Sequence, residues 1–446
     1  MVSAPLVRGF GAGAAFAYRQ GRRIEVARFL ADVSRLAALL PERPYLLNLC
    51  TDRYHFTVGF AAALVRRQVN LLPPNETPDL IEQLTVRYPG VYCLCDRPTG
   101  LATIETMLFP GPADDGDMTL PVPEIPESQV AATVFTSGST GQPVPYRKSW
   151  GSLVRVARAE IEMLGLGALP GMAVVGTVPS QHVFGLEATV LTVMQGGLSL
   201  CARRPFYPAD VRAELESLPR PRSLVTTPVH LRVLLAEPGD LPPVDFLLCA
   251  TAPLSPQLAA QAEARFAAPL HEIYGCTESG GIASRRTVAT GEWSAMTGVR
   301  LRTDGERTWV KGGHVEVEVA LADVIELRRQ GKFLLHGRTA DLVNIAGKRT
   351  SLAHLNYHLN SVEGVLDGTF VLPEQEGATV TRLTAYVVAP GLTRETLMGA
   401  LRQRIDAAFL PRPLHFVDAL PRNEVGKLPR QSLDEFAAGF AARMAG

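Results

Sequence analysis

From Arg43 to Glu278 the chain alternates short apolar runs, often β-branched, with longer stretches whose apolar positions recur at helical spacing. "RPYLLNLC", "VNLLP" and "GVYCLCD" read as strands, and "HFTVGFAAALVRRQ" and "TPDLIEQLTVRY" as the helices between them. The Pro-rich "FPGPADDGDMTLPVPEIPESQ" reads as a surface connection into the strand "VAATVFTS". A second set follows, with strands "MAVVGTVPS", "GLSLCA", "SLVTTP", "DFLLCATAP" and "LHEIYGCTE". Its helices start near Phe184 and lie in "PADVRAELESL", "VHLRVLLAE" and "SPQLAAQAEARFA". Strands separated by amphipathic helices imply βαβ units on largely parallel sheets, so the pattern predicts two similar α/β layers.

From Trp293 the texture changes. "RTWVKGGHVEVEVALADVIEL" alternates with period two, which predicts antiparallel strands of a small β-barrel. "HGRTADLVNIAGKRTS" reads as a hinge, and the remaining strands and helices, such as "LTAYVVAP" and "TRETLMGALRQRI", make a compact α+β unit. The expected fold class is therefore α/β: a large N-terminal domain of two sheet layers plus a small barrel, then a small, mobile α+β C-terminal domain.

Bulk properties narrow the ligand. A chain of 446 residues, 46% apolar, can build several cores. Lys plus Arg equals Asp plus Glu at 44 each, so no net field draws the chain to nucleic acid or anionic lipid, and a small molecule is the expected partner. The six cysteines show no CxxC pair or metal-ligand spacing, which predicts reduced, buried thiols in a cytoplasmic protein. "MVSAPLVRGFGAGAAFAYRQGRR" loosely imitates a secretory leader, but its arginines break the pattern. The longest apolar runs fall short of the ~18–20 residues a membrane helix needs, so no membrane span is expected. Only five lysines occur, Lys148, Lys311, Lys332, Lys348 and Lys427, so each position where arginine was not used invites a chemical reason.

The chemistry centres on "TVFTSGSTGQPVPYRKSW", which leaves the strand "VAATVF" directly. Backbone N–H groups freed by glycine, ringed by hydroxyls, form a nest suited to phosphate oxygens, although the same residues also suit an ordinary Ser/Gly turn. The stretch resembles the signature loop of the adenylate-forming (AMP-binding) superfamily of acyl-CoA synthetases, adenylation domains and luciferases. Further segments carry the resemblance from Thr133 to Arg430: "PSQHVFGLEAT", "CATAPL", "EIYGCTESG", "LLHGRTADLVNIAGKRTS" and "ALPRNEVGKLPRQSL". Asp323 lies fifteen positions before Arg338, the family's spacing for its ribose-binding pair.

The resemblance implies roles. Thr136, Ser137, Gly138, Ser139, Thr140 and Gly141 would wrap the ATP phosphates. Thr277 would donate to the α-phosphate, and Glu278 would hold Mg²⁺, a hard cation that takes carboxylate oxygen. Tyr274, with Gly275, would stack on adenine beside Ala252 and Pro253, and Asp323 and Arg338 would hold the ribose. Lys427 would reach over the carboxylate and α-phosphate oxygens as a mobile point charge. His182, Phe184, Thr227, Ala250 and Gly280 would line the acid pocket, and Gly347, Lys348 and Arg349 would face the acceptor thiol. The implied division is a nucleotide-binding domain of residues 1–338 and a lid of residues 339–446.

Some positions depart from the pattern. Val144 stands where the family's loop lysine belongs, which makes Lys148, four residues on, the candidate phosphate cation; the loop backbone with Mg²⁺ could also suffice. Ala340 stands where relatives often carry a hinge Asp or Lys, and His354 and Asn356 replace an acidic pair. The variant loop looks most like that of small AMP-ligases of aryl-polyene or xanthomonadin-type pigment pathways. The function implied is ATP-dependent adenylation of a carboxylic acid, aromatic by preference, then transfer to CoA or a phosphopantetheinyl acyl carrier protein. A fatty acyl-CoA or acyl-ACP ligase, and a non-catalytic binding protein of the same fold, are the alternatives.

Overall fold

The alternation of short apolar runs and helices builds two sheets around a shared core. The computed structural model describes residues 2–101, 103–111, 120–137, 143–304, 307–338, 342–345, 348–372, 382–423, 426 and 428–445. One six-stranded sheet runs in the order Pro143–Ser149, Val130–Ser137, Val69–Leu72, Tyr45–Asn48, Tyr92–Cys95 and Thr106–Leu108. All its pairings are parallel except the first. The second sheet has eleven strands, and its parallel centre consists of Leu270–Cys276, Phe246–Cys249, Arg222–Thr226, Ala173–Gly176, Ser199–Cys201 and Ala15–Arg19. Apolar residues from both sheets, including Leu46, Ala132, Val174 and Val225, meet in one core.

The helix Arg53–Val65 starts where the Asp52 carboxylate accepts from the His55 amide. It is apolar nearly all round and nearly all buried, as a helix with no polar face must be. A second core, containing Leu224, Leu247 and Phe266, lies under the helices Pro208–Ser217, Pro228–Ala236 and Pro256–Phe266. A third is made only of residues between Val343 and Leu414. It packs the helices Leu352–Asn360 and Arg394–Arg402 against the three strands Asp367–Val371, Thr384–Val388 and Leu414–Phe416. The molecule is thus a mixed α/β fold with a large N-terminal and a small C-terminal part.

The expected barrel is not formed among the described residues. Arg300–Thr303, Thr308–Gly312 and Val315–Leu321 make an open three-stranded antiparallel sheet. Asp323–Leu327 leaves it to pair with Lys332–Arg338 at the edge of the eleven-stranded sheet, where Phe333 faces Trp293. Period-two alternation fixes which face of a strand is apolar but not which neighbour it pairs with. Burying Phe333 and Ile325 in the large shared core decided that. The two layers also differ more than expected, because antiparallel strands extend the second sheet at both ends. Several elements had no counterpart in the sequence reading, among them the helix Val26–Leu39, the strand Pro143–Ser149, which reads as loop, and the final helix Arg430–Ala445.

Candidate active site

The motif segments converge at the carboxyl ends of the parallel strands, where ligands bind in open α/β sheets. Leu270–Cys276 carries Tyr274, whose hydroxyl donates to Asp323 Oδ2 at 2.7 Å. Trp293 and Phe333 hold the Tyr274 ring, with centroids 5.6 and 5.7 Å away. Asp323 and Arg338 stand directly opposite each other in the antiparallel pair, so their fifteen-residue separation is a hairpin register. The side chain of Arg338 lies outside the described residues. The strand Phe246–Cys249 ends at buried Ala250 and turns at Thr251, with φ 83°, into Ala252 and Pro253.

Thr277 and Glu278, both half-buried, sit on the turn between Leu270–Cys276 and Gly280–Arg285. The turn is too tight for side chains at its base. A Cβ on Gly275 would stand 2.1 Å from the Gly280 carbonyl oxygen, and Gly280 has φ 75°. Among the described residues no group of three or more His, Cys, Asp or Glu could hold a metal ion. Glu278 is the carboxylate here that would hold Mg²⁺, a hard cation that takes carboxylate oxygen.

Beneath this turn lies a polar cluster of which the sequence reading named only Lys148 and missed Glu187, Glu160 and His314. Lys148 is only 8% exposed, and its Nζ donates to the Glu278 carbonyl oxygen at 2.6 Å. Glu187 is buried, and its Oε2 accepts from the Gly281 amide at 3.0 Å. Glu160 is fully buried beside Gly281 with no hydrogen-bond partner on either oxygen. His314 is buried too, its ring nitrogens without a well-formed hydrogen bond and the backbone of Ser279 and Gly281 beside them. Burial pushes the Glu187 carboxyl up to about 7, opposed by the Lys148 charge and the Gly281 N–H. Burial and the neighbouring Glu187 raise Glu160 further. Burial lowers Lys148, against the pull of Glu187. The sequence signals were a lysine in an arginine-using chain and a glutamate inside the apolar run "VFGLEATVL".

The acid side of the site uses His182, at the start of the short helix Val183–Gly185, and half-buried Phe184 against the shared core. Gly185 is required there, since a Cβ would lie 1.9 Å from the Pro179 carbonyl oxygen. The chain then continues as a π-helical segment, Leu186–Leu191, which carries Glu187. Thr227 caps the helix Pro228–Ala236, and its hydroxyl lies 3.0 Å from His230 Nδ1. Thr177 is 3.4 Å from the same nitrogen and 3.0 Å from the Thr226 hydroxyl, so three hydroxyls and one imidazole form a continuous polar wall. Burial and then the Arg204 charge lower the His230 pKa. Fully buried Arg53 donates to the Gly176 and Val178 carbonyls and fixes the strand end ahead of His182.

The C-terminal part reaches this wall. A Cβ on Gly426 would meet Val229 at 2.9 Å and Thr227 Oγ1 at 3.4 Å. Arg422 donates to the Gly426 carbonyl and clasps Asp367, and Asp367 also meets Arg232 from the large part at 3.3 Å. Lys427 itself lies outside the described residues, as do Gly138, Ser139, Thr140, Gly141 and Gly347 and the side chains of Thr136, Ser137 and Arg349. The strand ends flanking the loop are in register, Ser137 opposite Pro143 and Thr136 opposite Val144, and Val144 is exposed. Lys348 pairs with Asp406 at 2.6 Å.

The AMP-binding enzyme family model matches residues 45–327. The chain belongs to the AMP-binding enzyme family. It is 30% identical over 305 residues to a 4-coumarate–CoA ligase of Rhodobacter capsulatus, an alignment covering 67% of this chain and 75% of that protein. This family member superposes on ATP-bound MatB from Rhodopseudomonas palustris with a TM-score of 0.80 at 19% identity, over 99% of this chain and 97% of that one. It also superposes on the o-succinylbenzoate CoA synthetase of Bacillus subtilis in complex with ATP and magnesium, with a TM-score of 0.78 at 18% identity, over 94% and 96% of the chains. It is an enzyme of the AMP-forming acid–thiol ligase class. Among the described residues no helix is long and apolar enough to cross a membrane.

Proposed function

We propose that this enzyme activates an aromatic carboxylic acid with ATP and passes the acyl group to the phosphopantetheine thiol of an acyl carrier protein, with CoA as the alternative acceptor. In the first step a carboxylate oxygen of the acid attacks the α-phosphorus, and the bond to pyrophosphate breaks. In the second, the thiol sulfur attacks the acyl carbon and AMP leaves. Tyr274, Gly275, Ala252 and Pro253 bind adenine, and Asp323 with Arg338 binds the ribose. Thr136 to Gly141 cradle the phosphates. Thr277 donates to the α-phosphate, and Lys427 neutralises charge developing on its oxygens. Glu278 would hold Mg²⁺, which would screen the phosphate charge.

His182, Phe184, Thr227, Ala250 and Gly280 form the acid pocket, which suits an uncharged ring. The observation that carries the reading is the meeting of Gly426, one residue before Lys427, with the Thr227 wall at the strand ends. The likeness to a 4-coumarate–CoA ligase supports an aromatic acid. The loop around Val144 supports a place among the small AMP-ligases of aryl-polyene or xanthomonadin-type pathways. We place the domain boundary at residues 338/339, Lys348 and Arg349 at the acceptor side, and the protein in the cytoplasm, where its six free cysteines stay reduced.

Acid-dependent ATP–pyrophosphate exchange tests the first step, with 4-coumarate, 4-hydroxybenzoate and octanoate compared. Exchange is expected with the aromatic acids and its loss in Lys427→Ala. Equal exchange by wild type and that variant would remove the assignment of Lys427, and a preference for octanoate would favour a fatty acyl ligase. Mass spectrometry of products formed with CoA and with carrier protein decides the acceptor.

A further inference from the structure

The turn that bears Thr277 and Glu278 has two inward-facing backbone groups that side chains satisfy. The Glu278 carbonyl and the Gly281 amide both point into the protein, where an unpaired polar group is costly. Each is met by a side chain from a different functional segment. Lys148 comes from the strand that follows the phosphate loop, and Glu187 from the helix that follows His182. Both side chains are buried under the same turn, where each feels the other's charge, and Glu160 and His314 are buried beside them. Gly280 leaves room for this, because a Cβ there would lie 2.5 Å from Glu187 Oε1.

We propose that Lys148 and Glu187 are positioning residues that hold the Cys276–Gly281 turn in one shape, presenting Thr277 and Glu278 to ATP, while Lys148 makes no contact with phosphate. This rests on the adenylation reading above. An ammonium on a flexible stem reaches a single buried carbonyl, which a planar guanidinium does less well, so a chain rich in arginine keeps a lysine here. The pair also links phosphate loop, acid gate and motif turn through one polar junction. Groups acting as such a unit give non-additive effects on mutation.

The test uses the full chain and the variants Lys148→Met, Glu187→Leu and Lys148→Met/Glu187→Leu. The double variant removes both charges and supplies the readout if the single ones do not fold. With 4-coumarate in ATP–pyrophosphate exchange, each variant is expected to lose about 100-fold in kcat, the scale of a displaced catalytic group. Half-saturating Mg²⁺ should rise while KM for ATP changes little, and the double variant should be no worse than either single. Hydrogen exchange of the Cys276–Ile282 amides should speed up, with the helix Arg394–Arg402 unchanged.

A raised KM for ATP at unchanged kcat, or additive losses in the double variant, would make Lys148 a phosphate ligand and overturn the proposal. So would lowered thermal stability with wild-type kcat, or unchanged exchange in the turn. If the wild type is silent with every acid while the turn still loosens in the variants, the holding role stands and the choice of substrate fails.

Discussion

Gly275→Ala isolates the geometry of the motif turn. The added Cβ would meet backbone atoms only: the Gly280 carbonyl oxygen at 2.1 Å, and Gly280 C and Gly281 Cα at 2.8 Å. Ordinary contact begins near 3.4 Å, so the carbonyl must retreat by about 1.3 Å, and no side-chain rotation can relieve that. Overpacking of this kind costs ~1–3 kcal/mol of stability. Its functional cost is larger, because one of the two strands carries Tyr274 and the turn between them carries Glu278, and a displacement near 1 Å at a catalytic group costs ~100-fold in rate. ATP–pyrophosphate exchange with 4-coumarate should therefore fall about 100-fold, with a modest loss in urea unfolding. Gly399→Ala is the control: its site in the helix Arg394–Arg402 has nothing within 4 Å of the new methyl, so it should gain ~0.5–1 kcal/mol and keep full exchange. Exchange by Gly275→Ala within threefold of wild type would refute the claim that this turn sets the site.

Tyr274→Phe removes the hydroxyl donated to Asp323, and losing a hydrogen bond to a charged group, worth ~1.5–3 kcal/mol, should raise KM for ATP at least tenfold; steady-state kinetics decide it. His314 is held neutral by burial first and then by the Lys148 and Arg155 charges, with its pKa lowered from 6.5 to about 4. The unfolded chain therefore takes up the proton first as pH falls, so stability present above pH 6.5 is lost toward pH 4. Urea midpoints across that range should fall less steeply in His314→Phe. Asp367→Asn leaves Arg232 and Arg422 facing each other without their shared counter-charge, so trypsin should cleave between the large and small parts faster than in wild type, as limited proteolysis would show.

The motif stretches were legible because their chemistry is local. A glycine-rich loop after a strand is legible in one dimension, and the Tyr-Gly-x-Thr-Glu turn and the Asp–Arg spacing were legible through their resemblance to a known family. The helices and parallel strands of the large part were legible for the same reason, since periodicity follows from which face is buried. Other features depended on partners distant in sequence. Val315–Leu321 and Asp323–Leu327 read as one alternating run, yet they join different sheets because Phe333 and Ile325 are buried in the shared core.

Lys148 shows the division most clearly. Sequence alone marked it as unusual and offered phosphate as its partner. Only the tertiary structure brought Glu278, from a hairpin 130 residues away, over its amine and set Glu187 beside it. A side chain's type and spacing can be read along the chain. The group it neutralises in a buried space is decided by packing, because desolvation forces each buried charge onto whichever partner the fold supplies.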